Sequence, residues 1–210
     1  MNLQIVLADD HPVVLIGARA HIEGSGYGRV VATASNPTEL FAALEMIKCD
    51  VLVTDLAMAD PQTSDGFPML TRIRRLYPDL PIILLSGATN IAILRAIAGL
   101  GILGIVDKCA SLTELPAAIQ AVHRGLSYVS TAHDQRAAAA GHTRMRYRPS
   151  QALSPREAEV LRLLSSGLTV SQVADRSRRG ITTISRQKRD AMRKLGLSTD
   201  SELYDYLRSA

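Results

Sequence analysis

Two adjacent carboxylates, Asp9 and Asp10, close the first apolar run of this chain; Asp55, Ser86 and Lys108 close three later ones. Three carboxylates with a backbone carbonyl, here that of Ala57, suit Mg2+, which takes oxygen ligands and keeps waters and a phosphate among them. Asp55 is the candidate nucleophile. Its attack on a phosphoryl group gives an acyl phosphate, with Lys108 neutralising the developing charge and the Ser86 hydroxyl bonding a phosphoryl oxygen afterwards. Each residue alone has a plainer reading, as a helix cap, a turn serine or a surface lysine. Their joint occurrence at four run ends favours the chemical one.

Chemistry of this kind needs the ends of neighbouring strands brought to one edge. Near-continuous aliphatic runs at Leu3–Ala8, Arg29–Thr33, Val51–Thr54, Pro81–Leu85 and Gly101–Val106 have the pattern of strands buried on both faces. Helix-period segments alternate with them, at Pro12–Ile22, Thr38–Lys48, Phe67–Tyr77, Asn90–Ala98 and Leu112–Arg124. Alternating β and α units predict an α/β domain with a doubly wound, five-stranded parallel sheet. In such sheets the reactive crevice lies beyond the carboxyl ends of the strands, where these residues fall.

The charge is divided between the halves. Residues 1–129 hold 9 Lys/Arg against 12 Asp/Glu and residues 130–210 hold 15 against 8, net −3 and +7. The second half therefore suits a polyanionic partner. Its first stretch, with four alanines from Ala137 and then Arg144, Arg146 and Arg148, reads as a linker. From Leu153 the helix signals come in quick succession: Ser154 with Glu157 as a capping box around Pro155, Gly167 as a stop, Thr169 with Gln172, Gly180, and Thr199 with Glu202 before Leu203 and Leu207. They predict four short helices. In the third, Ile181, Ile184, Ala191 and Leu195 are expected on the inner face, and Thr182, Ser185, Arg186, Arg189 and Arg193 on the outer. An α-helix fits the major groove, and arginine can bond a guanine edge twice. Arg186 and Arg189, with Ser185, are the expected base readers, and Thr183, Lys188, Ser171 and Lys194 the expected phosphate contacts.

The two cysteines, Cys49 and Cys109, have no metal-ligand spacing, and no apolar stretch reaches the roughly 20 residues of a spanning helix. With no export signal ahead of the first strand, a cytoplasmic protein without a membrane partner is expected. The expected divisions are residues 1–128, a linker at 129–150, and 151–210.

Residues 1 to about 126, through Asp9-Asp10, Asp55, Ser86 and Lys108, resemble a response-regulator receiver domain of the flavodoxin/CheY-like fold. Leu153-Ser154-Pro155-Arg156-Glu157 through Arg193-Lys194-Leu195-Gly196 resembles the helix-turn-helix domain of the LuxR (NarL/FixJ) family. The resemblance implies a transcriptional response regulator. Asp55 would be phosphorylated with Mg2+ by a sensor histidine kinase or phosphotransfer protein, and a homodimer would bind double-stranded promoter DNA and act on RNA polymerase. It also allows a heterodimer with an auxiliary helix-turn-helix regulator, and a receiver that serves mainly as an interaction platform. Two positions depart from the receiver pattern: Ile105 replaces the usual aromatic switch residue that works with Ser86, and Ala59 replaces a proline. In the second domain, Ser177 stands where a core leucine is common. A phosphohydrolase with an aspartyl-phosphate intermediate is disfavoured, because Asp55-Leu56-Ala57 lacks the second carboxylate of an Asp-x-Asp motif.

Overall fold

The computed structural model describes residues 3–60, 62–63, 65–87, 97, 100–109, 112–132, 135, 153–195 and 197–209. They fall into two compact units, an N-terminal α/β unit and a C-terminal helical one.

The α/β unit contains β1 (Leu3–Ala8), α1 (Pro12–Gly24), β2 (Gly28–Ala34), α2 (Pro37–Met46), β3 (Val51–Asp55), α3 (Gly66–Leu76), β4 (Ile82–Ser86), β5 (Gly104–Asp107), a 3-10 turn at Leu112–Glu114, α4 (Leu115–His123) and β6 (Tyr128–Val129). All five expected strands form. A sixth, of two residues, joins the edge of the parallel sheet, whose order is β2-β1-β3-β4-β5-β6. The expected helix at Asn90–Ala98 lies outside the described residues, apart from Ile97.

The aliphatic runs form central strands because both their faces are covered. Ile5 to Ala8, Val51 to Val53 and Ile82 to Leu85 are all fully buried, and burying each large aliphatic side chain stabilises the fold by about 1.5–3 kcal/mol. Pro12 starts α1 where no amide hydrogen is needed, while the Asn36 side chain caps α2 by accepting from the Glu39 amide at 2.8 Å. Arg74 ties α3 to two loops, donating to the carbonyls of Pro78 (2.6 Å), Leu80 (2.9 Å) and Gly101 (3.1 Å).

In the helical unit, α5 (Pro155–Ser165), α6 (Val170–Arg176), α7 (Ile181–Leu195) and α8 (Asp200–Ser209) follow one another. The first two begin with the expected capping boxes, Ser154 with Glu157 and Thr169 with Gln172. Leu161, Val173, Ile184, Ala191 and Leu203 make its core. The turn between α6 and α7 holds Arg178 at φ 50°, a left-handed conformation that costs a non-glycine residue about 1–2 kcal/mol.

No described helix is long and apolar enough to cross a membrane.

Gly104 is where β5 packs most closely: a Cβ there would stand 2.6 Å from Ile83 Cγ1 and 3.0 Å from Val122 Cγ2. Gly104→Ala is expected to destabilise the α/β unit by about 1–3 kcal/mol, read as a lower urea midpoint, whereas Gly87→Ala, with nothing within 4 Å of its added carbon, should leave the midpoint nearly unchanged.

Candidate functional site

The sheet order explains how residues far apart in sequence meet. β1 and β3 are neighbours, so Asp9, just beyond β1, and Asp55, the last residue of β3, stand side by side at the carboxyl edge. β4 follows, with Ser86 at its end, and then β5, with Asp107 in register opposite Ser86 and Lys108 one residue further on. Two strand spacings separate β3 from β5, about 10 Å, a gap bridged by the long lysine side chain.

Lys108 Nζ lies 2.6 Å from Asp55 Oδ2 and 2.8 Å from Asp9 Oδ2. Both carboxylates are buried, Asp9 completely. Burial pushes the Asp55 carboxyl above its ordinary value; the hydrogen bond and charge of Lys108 oppose this, and the charge of Asp9 adds to it. For Lys108, burial works against the ammonium, but its bonds to Asp55 and Asp9 and their charges outweigh that and raise its pKa. The second Asp55 oxygen, Oδ1, accepts from the Leu56 amide at 2.6 Å, which fixes the plane of the carboxylate.

Asp10 and His11 complete the group. His11 Nδ1 is 2.7 Å from Asp10 Oδ1 and 3.1 Å from Asp9 Oδ1, and the His11 amide donates to Asp9 Oδ1 at 2.9 Å. Sequence reasoning missed the imidazole, although it follows the acidic pair directly. One ligand atom each from Asp9, Asp10, His11 and Asp55 lies within 4.8 Å of the others. Asp9 Oδ2 and Asp10 Oδ1 are buried, the first 2.8 Å from Lys108 Nζ and the second 2.7 Å from His11 Nδ1. Hard, anionic oxygens gathered this closely are the donor set that Mg2+ takes, so the residues fit that ion. Ala57 is exposed in the loop after β3. Ile105 is buried in β5, between Leu84 of β4 and Val129 of β6, an aliphatic residue with no polar end.

Residues 5–120 match the response regulator receiver domain family, and residues 151–207 match the luxR family of bacterial regulatory proteins. Over 211 residues the chain is 38% identical to the transcriptional regulatory protein RcsB of Escherichia coli (strain K12), covering 99% of this chain and 95% of that one. The chain belongs to the LuxR-type response regulators. Among solved structures, this response regulator is similar to RcsB from Salmonella enterica serovar Typhimurium bound to promoter P1flhDC in the presence of the phosphomimetic BeF3−, with a TM-score of 0.82, 38% identity and all of both chains covered. It is also similar to a structure of two RcsB dimers bound to two parallel DNAs, with a TM-score of 0.78 and 37% identity over 99% of each chain.

In the LuxR-type domain of this regulator, α7 exposes Thr182, Arg186, Arg189 and Arg193, with Thr183 and Ser185 half-buried; Ser171 is exposed in the first turn of α6. Arg193 pairs with Asp190 at 2.9 Å, and Lys194 reaches Glu157 Oε2 at 2.6 Å. Two expectations are corrected. Lys188 is not an outward phosphate contact: it is buried, its Nζ 2.6 Å from Asp200 Oδ2 and 5.9 Å from the ring centre of Tyr204. Three- and four-residue steps put position 188 on the same face as Ile184, Ala191 and Met192. Ile181, expected inside, is 54% exposed, because at the first position of α7 it lies beyond the edge of the core. The exposed arginines Arg176, Arg178 and Arg179 around the preceding turn were not singled out in the sequence, since a turn carries no periodic signal.

Substitutions at the acidic site should have opposite signs. Lys108→Met leaves two buried carboxylates without their cation and is expected to cost about 3 kcal/mol. Asp55 has its pKa raised on folding, so the folded state binds more protons than the unfolded between the two values, and stability is lost as pH rises through that window. Asp55→Asn should therefore raise the urea midpoint at neutral pH, with the gain shrinking as pH falls through the raised folded value towards the ordinary value of about 4 and changing no further below it.

Proposed function

We propose that this protein is a transcriptional regulator switched by phosphorylation of Asp55, with residues 1–128 as receiver, 129–150 as linker and 151–210 as DNA-binding domain. The observation that carries the reading is the triad of Asp9, Lys108 and Asp55 at 2.6–2.8 Å, at the carboxyl edge of the parallel sheet. Asp55 attacks the phosphorus of a phosphohistidine on a sensor kinase or phosphotransfer protein. The phosphorus–nitrogen bond breaks, the imidazole leaves with a proton, and a phosphorus–oxygen bond to Asp55 forms. Asp9, Asp10, Asp55 and the Ala57 carbonyl are the residues that would hold Mg2+, which bound there neutralises charge on the phosphoryl oxygens. Lys108 exchanges one carboxylate for a phosphoryl oxygen, and Ser86, on the neighbouring strand end, bonds another.

Phosphorylation then favours a homodimer that binds paired half-sites on double-stranded DNA about one helical turn apart. The similar RcsB structures, with promoter DNA, a phosphomimetic and dimers, support this reading, as does the basic outer face of α7. Arg186, Arg189 and Ser185 read base edges, while Thr182, Thr183, Arg193, Lys194 and Ser171 position the helix on phosphates. RNA polymerase is the downstream partner, in the cytoplasm. The buried Ile105 favours a second reading, in which the receiver works mainly as a platform for a second copy or an auxiliary helix-turn-helix regulator. The same DNA affinity and dimerisation with and without BeF3− would decide for it.

Acetyl phosphate with Mg2+ is expected to label the native protein and not Asp55→Asn; equal labelling of both disposes of the assignment. For DNA, Arg189→Ala should weaken cognate binding by ~1–3 kcal/mol and random duplexes far less. Lys194→Ala should lower affinity for all sequences and flatten the salt slope. Lys188→Ala, by contrast, should lower the thermal midpoint of the helical unit and leave the salt slope unchanged.

A further inference from the structure

The turn from α6 into α7 carries cations at its two most particular positions. α6 ends in a full Schellman motif, the Arg178 amide donating to the Asp175 carbonyl at 3.0 Å and the Arg179 amide to the Ala174 carbonyl at 2.9 Å. Such a motif takes glycine at its left-handed position and an apolar residue after it that packs back on the helix. Here Arg178 holds the left-handed position, at φ 50°, and Arg179 the next, and both side chains are exposed. Stability asks for neither. Among the described residues neither guanidinium is in an ion pair or a side-chain hydrogen bond, even with Asp175 in the last turn of α6. Strain kept at a surface turn for the sake of a charged side chain marks a place where that side chain meets something.

What it meets follows from where the turn lies. Ile181, three residues beyond Arg178, begins α7, and in a helix-turn-helix the first residues of the reading helix enter the groove while the helix before it crosses the backbone. A guanidinium at the join stands beside the phosphates that line that groove. A Cβ on Gly180 would meet only the Thr182 and Thr183 hydroxyls, at 3.7 and 4.0 Å, so the two arginines and two hydroxyls already read as phosphate contacts flank one open stretch of backbone. We propose that Arg178 and Arg179 clamp the DNA backbone at the edge of the groove that α7 enters, Arg178 holding a strained turn for this contact. The inference rests on the reading of the helical unit as a DNA-binding domain, and adds a phosphate-binding edge at the end of α7 opposite to Lys194. An acidic protein surface is the competing occupant, and continuity with the reading helix favours DNA.

The contact and the strain are tested together. The full-length native protein, Arg178→Gly, Arg178→Lys, Arg179→Gln and Lys194→Ala are compared by calorimetric melting and by binding to a random-sequence DNA duplex over a range of salt concentrations. Arg178→Gly is expected to raise the thermal midpoint of the helical unit by roughly 4 °C, because glycine is unstrained there. The same variant should bind about fivefold more weakly per protomer near physiological salt, with the slope of log affinity against log salt shallower by about 0.9. Arg179→Gln should lose as much affinity without the rise in midpoint, and Arg178→Lys should keep the native midpoint and slope. Unchanged or tighter binding by Arg178→Gly and Arg179→Gln, with Lys194→Ala still weakened, overturns the proposal in favour of an acidic protein surface and leaves the DNA-binding reading standing. A midpoint that does not rise in Arg178→Gly overturns it as well, since the strain is then absent. If the native protein binds no duplex, or Lys194→Ala binds as tightly as the native protein, the DNA-binding reading falls too. Folding is not at risk, because glycine is the residue the motif prefers.

Discussion

One partly buried cation shared by two buried carboxylates organises the receiver half of this protein. Lys108 spans the end of β4 to reach Asp55 and Asp9, and the cluster exists only because β1, β3, β4 and β5 are adjacent in that order. Burial is the main reason that the Asp55 carboxyl sits above its ordinary pKa even with an ammonium at 2.6 Å, and the charge of Asp9, the second of two carboxylates set against one ammonium, adds to it. Such a site gains from any added positive charge, and an acyl phosphate on Asp55, with nearly two negative charges in place of one, would raise its need for a cation held by the neighbouring carboxylates. Stability and reactivity are thus two readings of the same electrostatic imbalance, a common condition of catalytic carboxylates.

The edge of the sheet also shows how the chain departs from a receiver with an aromatic switch. Ile105 sits between two strands with no exposed or polar part, so it has nothing to swing toward a displaced hydroxyl. Polar contacts lie one step along the strand. The Asp107 amide donates to Ser130 Oγ at 3.2 Å, the Ser130 amide donates to the Ile105 carbonyl at 2.9 Å, and Asp107 Oδ1 accepts from the Cys109 amide at 2.8 Å. Glu114 holds the neighbouring residues, accepting from Tyr128 Oη at 2.8 Å and from the Thr131 amide at 3.1 Å. The peptide that carries Lys108 is therefore hydrogen-bonded to the first residues after the sheet.

What the sequence made legible was local or strongly periodic. The buried strands announced themselves as aliphatic runs, and the capping boxes at Ser154 and Thr169 as spaced pairs, because each depends on residues within a few positions. The acidic site was legible because topology places strand ends together, which turns a list of polar residues after strands into a list of neighbours. β6 escaped notice, since Tyr128 and Val129 show no alternation in two residues and owe their strand to pairing with Gly104 and Ile105. Lys188 was misjudged for a different reason: a charged residue on a basic helix looks exposed until Asp200, twelve residues on and across a turn, is known to meet it.

That misjudgement sharpens the electrostatics of α7. Five basic residues on one helix suggest a uniform positive face, but their charges are not equally available. Lys188 is buried against Asp200, Lys194 is engaged by Glu157, and Arg193 by Asp190. Among the described residues, Arg186 and Arg189 have no carboxylate within ion-pair distance, and Arg189 makes only a long 3.4 Å bond to the Ser185 carbonyl. A guanidinium that need not first leave a carboxylate keeps all of its interaction with a base edge or a phosphate, whereas Lys194 or Arg193 must break a protein contact before forming a new one. The half-buried and exposed pairs are individually weak, so the penalty is modest, yet it falls on the residues at the far end of α7 and spares those near its start. The reading strength of the helix is thus concentrated around Arg186 and Arg189 by the placement of three acidic side chains.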